Sequence, residues 1–202
     1  MMLLSVLLKG GWMMLPLAIC SVIAIAVIIE RFLFFRCINA IHHAETILAM
    51  IGDNRIDEAA DMANKSELPL IRIMSAGIAN RFHFSKAMEA VAVNELAIMR
   101  RGLPVLDTIV TLSPLLGLLG TIIGMIDSFQ IMAFSGMGQP HAVTGGVAEA
   151  LIATATGISV AVIALVPYNY FSARIEQEAE TIEHYATRLE MVLTSPDKDS
   201  LR

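Results

Sequence analysis

The chain has 202 residues, of which 56% are hydrophobic and 16% charged, where a soluble domain carries about 25% charged residues. A mean hydropathy of +0.68 identifies an integral membrane protein. The net charge of −5 comes with no basic stripe interleaved with aromatics, which excludes a nucleic-acid binder.

Residues 1–11 form an outer N-terminal segment ending in Lys9 and the flexible pair Gly10-Gly11. Residues 12–36 read as a first transmembrane helix, uncharged from Trp12 to Ile29 and closed by Glu30, Arg31 and Arg36. A cleaved signal peptide fits less well, because the positive end follows the apolar run and no A-x-A site precedes a polar start. Trp12 suits a membrane interface, and Pro16 lies in the first turn, where a missing N–H costs least. Cys20 and Cys37 make no disulfide or zinc pattern and read as small apolar thiols.

Residues 37–105 form an insert of short helices, too small for a large enzyme core. One ends at Gly52, another runs between Asn54 and Asn64 before Pro69, and a later one has its cap at Ser85. Residues 106–134 and 144–171 are the second and third spans, each long enough for a bilayer core of ~30 Å at ~1.5 Å per residue. The turn 135–143 joins them as an antiparallel hairpin. The tail 172–202 continues the third helix. Its apolar residues Phe171, Ile175, Ala179, Ile182, Ala186, Leu189 and Val192 recur every three or four positions, so this face seeks a partner. Arginine and lysine crowd the insert and tail and are absent between Gly102 and Ala173. The positive-inside rule therefore puts the N-terminus and short turn outside and the insert and C-terminus in the cytosol.

The third span carries one acid, Glu149. An intramembrane carboxylate costs roughly 2.5 kcal/mol or more unless it meets water or a partner. Two readings stand side by side: proton handling, and a structural hydrogen bond at a subunit interface. If the hairpin is symmetric about Gly138, Thr121 and Thr154 lie at equal depth and Glu149 nearer the turn. Thr121, Thr154, Thr156 and Ser159 each have the plainer role of bonding backbone or knitting helices. Ser113, Gly117, Gly120, Thr121, Gly124 and Ser128 form a stripe of small residues, answered by Gly146, Ala150, Ala153, Gly157 and Ala161. Such stripes let helix backbones approach closely, and they read as tight packing between subunits. Pro114 and Pro167 are candidate bends. The histidines (His42, His43, His83, His141 and His184) are scattered, and no nucleophile, metal or phosphate-loop motif occurs. No enzyme activity, metal or cofactor is expected.

The stretches RRGLPVLDTIVTLSPLLGLLGTIIGMIDSF and GGVAEALIATATGISVAVIALVPYNYF together resemble the MotA/TolQ/ExbB proton-channel family, in its TolQ/ExbB branch. The resemblance implies an all-α fold of three transmembrane helices with long cytoplasmic helical extensions, assembled as a pentameric ring in the bacterial inner membrane. It also implies an ExbD/TolR-like single-span dimer in the central pore, whose aspartate exchanges protons, and a TonB- or TolA-like effector driven by proton flow. The positions matching the family's ion pathway are Thr121, Glu149 and Thr154. Asp107 departs from relatives that carry a neutral residue there. A scaffold ring that only positions a partner helix is the first rival reading. A small-solute transporter subunit is the second, disfavoured because no internal repeat with broken helices is present.

Overall fold

A computed structural model describes residues 11–38, 40–80, 82–135 and 140–194. The expectations for residues 1–10, for residues 136–139 of the turn, for the His141 side chain and for the tail beyond Thr194 lie outside the described residues, whereas residues 140–143, expected in the turn, are helical. Among the described residues there are seven helices and no strand. They are α1 (Met14–Arg36), α2 (Ile41–Gly52), α3 (Ile56–Asn64), α4 (Pro69–Ala79), α5 (Phe84–Arg100), α6 (Leu103–Ser135) and α7 (Pro140–Thr194). Among the described residues three stretches are long and apolar enough to cross a membrane. The chain divides into two units, one of the residues up to Arg31 with Gly102–Phe171, the other of Phe32–Arg101 with the residues from Ser172 onward.

The first unit holds α1, α6 and the first half of α7. Gly11, at φ +70°, turns the chain into α1, and its carbonyl accepts from the Met14 N–H at 3.1 Å. Gly102, at φ +84°, makes the matching turn into α6. Pro114 and Pro167 sit inside their helices without ending them. Leu17, Leu106, Ala153 and Ala164 fill the interior, whereas Ile19, Val22, Leu115, Ile122, Leu151 and Val166 face outward. That outward shell of large aliphatics is what a lipid surface requires. Cys20 is buried as expected of a filler, but Cys37 is exposed.

The second unit packs α2–α5 with the last part of α7. Asn54 adopts φ 61° between α2 and α3, an angle Asn accepts more readily than most residues. Asp57 and Glu58 occupy the first turn of α3, where negative charge offsets the exposed N–H groups. Pro69 opens α4 after an extended Leu68, the usual sense of Pro at a helix start. Ser85 does not cap α5. The helix begins one residue earlier, His83 holds the cap position, and no side chain bonds the free N–H groups. The apolar face of the tail finds its partner within its own chain. Ile175, Ile182 and Leu189 are buried, and a Cβ at Gly77 of α4 would meet Leu189 Cδ2 at 3.2 Å.

A polar clasp holds this contact. Arg188 donates to both oxygens of Glu45, at 2.5 and 3.0 Å, and Tyr185 donates its hydroxyl to Oε1 at 2.8 Å. The Arg188 bond first, and then the Tyr185 bond, lower the Glu45 pKa from the ordinary 4.5 to about 2. A carboxylate depressed in the folded state stabilises fully above its unfolded pKa, and that contribution fades as pH falls through the folded value. Arg188→Ala is therefore expected to lower the melting temperature of the detergent-solubilised protein at pH 7. The deficit relative to wild type should shrink as pH falls from about 4.5 toward about 2. A deficit that stays constant over this range would assign the loss to packing of the arginine stem.

Candidate ion-path site

The α6–α7 hairpin is assembled on glycine. A Cβ at Gly117 would meet the Thr154 Cα at 3.0 Å and the Ala153 carbonyl at 3.1 Å. A Cβ at Gly124 would lie 3.0 Å from Ala150 Cβ, and one at Gly157 would lie 2.5 Å from the Ser113 carbonyl oxygen. Gly120 faces Ala153, and Gly146 faces the Ser128 hydroxyl. The five glycines of the two stripes (Gly117, Gly120, Gly124, Gly146 and Gly157) thus lie in helix–helix contact within one subunit, where the sequence had implied packing between subunits.

These pairs also fix the register. The residue numbers of touching pairs total 270 to 274, lower than the total implied by a hairpin symmetric about Gly138. Thr154 donates its hydroxyl to the Gly117 carbonyl at 2.9 Å. It therefore opposes a residue four positions from Thr121, a displacement of ~6 Å along the axis. The two hydroxyls are not paired at one level as the symmetric hairpin implied. Thr121 instead bonds the Leu118 carbonyl of its own helix at 2.6 Å. Thr156 and Ser159 likewise bond Ile152 and Ala155, at 2.8 and 2.7 Å.

Glu149 is brought to a different place. Five residues from Thr154 along an α-helix is a rotation to about 140° away, with Gly146, Ala150, Ala153 and Gly157 in the arc between. Glu149 lines a cleft of about 360 Å³ with Gly11, Trp12 and Met13 at the start of α1 and Gly124, Asp127 and Ser128 of α6. On α6, Asp127 and Thr121 stand about 120° apart on either side of that helix's small-residue stripe. The hairpin therefore has two flanks. One carries the carboxylates Glu149 and Asp127, both of them exposed, beside the first turn of α1. The other carries Thr121 and Thr154, each of which keeps part of its surface exposed.

Asp127 is the site residue that the motif reading missed. The depth arithmetic could have found it, since 127 and 149 pair almost as the symmetric hairpin requires. Asp107 is exposed near the start of α6, and its carbonyl accepts from the Thr111 hydroxyl at 3.2 Å. His42, His43, His83 and His184 are exposed. Among the described residues no group of three or more His, Cys, Asp or Glu could hold a metal ion.

These features define an all-helical membrane subunit with three candidate spans, two of them locked together by glycine. The model of the MotA/TolQ/ExbB proton channel family matches residues 64–184, and the chain belongs to that family. Its similarities place it with the ExbB-like branch. It is 32% identical over 191 residues to the putative biopolymer transport protein ExbB-like 3 of Synechocystis sp., covering 91% of each chain. It is 37% identical over 123 residues to the biopolymer transport protein ExbB of Salmonella typhimurium, covering 61% of this chain and 49% of the relative. With the Tol-Pal system protein TolQ of Pseudomonas aeruginosa it shares 36% identity over 109 residues, 54% of this chain and 47% of the relative.

Proposed function

We propose that copies of this chain, five by family resemblance, form a ring in a bacterial inner membrane around a single-span ExbD/TolR-type dimer. Proton flow between ring and dimer then does work on a TonB- or TolA-like envelope effector. The basic residues of the insert and tail support a cytosolic C-terminus and an outer N-terminus. On this reading the chain is not an enzyme and needs no cofactor. The carrying observation is the threonine flank: two part-exposed residues, Thr121 and Thr154, on a helix pair held in close backbone contact. A partner carboxylate in a dry lumen needs such oxygens to exchange its proton. Each charge crossing the membrane supplies about 2.3 kcal/mol per 100 mV, so several protons per cycle suffice for mechanical work.

Glu149 is the second ion-handling group in this proposal, acting from the opposite flank. Its packing against the start of α1 also favours a rival, in which the ring is a scaffold and Glu149 an assembly contact. Glu149→Gln separates the two in complexes reconstituted with the single-span partner. The motor reading expects an intact oligomer by size exclusion and a loss of proton flux of about a hundredfold or more, the range for removal of a positioned proton-transfer group. Dissociation of the oligomer would favour the scaffold. Unchanged flux would remove Glu149 from the path.

A further inference from the structure

The Glu149 carboxylate rests against the backbone of Gly11. The φ of +70° at Gly11 is one that L side chains avoid. A Cβ placed there would collide with Glu149 Oε1 and stand 3.1 Å from its Cδ. Two separate demands, backbone angle and free volume, thus fall on the same residue. The turn is anchored, because the Met14 and Leu15 N–H groups donate to the Gly11 and Trp12 carbonyls at 3.1 and 3.2 Å. It runs straight into α1, whose Met14 and Leu17 are buried.

We propose that Gly11 is a positioning residue for Glu149. By carrying no side chain it lets the first turn of α1 serve as a wall that holds the carboxylate in the cleft it shares with Asp127. The inference rests on the reading of Glu149 as an ion-handling acid. Among the described residues lining the cleft, Asp127 of α6 is the one other titratable group, and Gly11, Trp12 and Met13 of the first-helix side bring none. A wall that bears on the Glu149 carboxylate decides which neighbours and how much water its charged form meets. Moving the wall therefore moves the pH dependence of the step that uses Glu149.

Gly11→Asn tests this, since Asn tolerates the left-handed region yet carries a Cβ. In the reconstituted complex, the midpoint of proton flux against pH is expected to move by about 0.5 unit or more, roughly a threefold change in the protonation constant. The same substitution added to Glu149→Asp, whose acid is one methylene shorter, is expected to move it no further. Equal shifts in both backgrounds would mark Gly11 as a structural turn and overturn the proposal, as would an unmoved midpoint in Gly11→Asn alone. Glu149→Gln tells the two failures apart. Lost flux there with an unmoved Gly11→Asn midpoint overturns the positioning role only, whereas unchanged flux overturns both readings. Should Gly11→Asn fail to assemble, carbodiimide labelling of Glu149 in the full-length chain in detergent gives the same comparison. A labelling midpoint equal to wild type would then sink the proposal.

Discussion

Thr154→Val is expected to abolish proton-driven output while leaving the complex assembled. Valine matches threonine in volume and branching, so helix preference and packing change little. What disappears is the hydroxyl that donates to the Gly117 carbonyl at 2.9 Å. An interhelical hydrogen bond in a membrane is worth only about 0.6 kcal/mol on average, and the tight backbone contact at Gly117 remains. Flux should fall much further, by roughly a hundredfold, as when a positioned proton-transfer group is removed. The measurement is proton flux in vesicles, scaled to assembled complex. Full output from a Thr121→Val/Thr154→Val double variant would count decisively against a hydroxyl-lined path.

Gly157→Leu is expected to eliminate folded protein altogether. A Cβ at this position would lie 2.5 Å from the Ser113 carbonyl oxygen and 3.0 Å from the Gly117 Cα. Both are backbone atoms, so no flexible side chain can swing aside and the helices themselves must part. Overpacking by small increments costs about 1–3 kcal/mol, and even Gly157→Ala should destabilise within that range. Gly145 is the control. A Cβ there meets nothing within 4 Å, so Gly145→Ala should leave yield and thermal stability of the solubilised protein near wild type. Equal tolerance at both positions would mean that the α6–α7 contact is looser than the geometry shows.

The three spans were legible because charge is scarce in them, and that scarcity is a direct imprint of the lipid environment. A close helix contact was legible for a related reason, since small residues at spacings of three and four mark a helix interface, but the sequence assigned it to neighbouring subunits where the glycines join one hairpin. The two flanks were less visible. Glu149 and Thr154 look like neighbours along a line, and only the rotation of about 100° per residue separates them around the helix. The level of Thr154 was displaced because the symmetry axis was placed at Gly138, whereas the contacts depend on where the glycines lock. Gly11 looked like a flexible pair with Gly10, because nothing local in the sequence announces a carboxylate arriving from residue 149. The clasp of Glu45 with Tyr185 and Arg188 joins residues 140 and 143 positions apart, a separation that no periodicity encodes. The face opposite Leu189 was readable as apolar, but its occupant was not.

That occupant carries a consequence for biosynthesis. The core of the second unit stays open until Ile182 and Leu189 have left the ribosome, long after the residues they cover. During that interval the early helices expose aliphatic surface, the condition under which nascent chains aggregate or are degraded. Translation halted before Ile182 and Leu189 emerge is therefore expected to yield a product that quality-control proteases recognise.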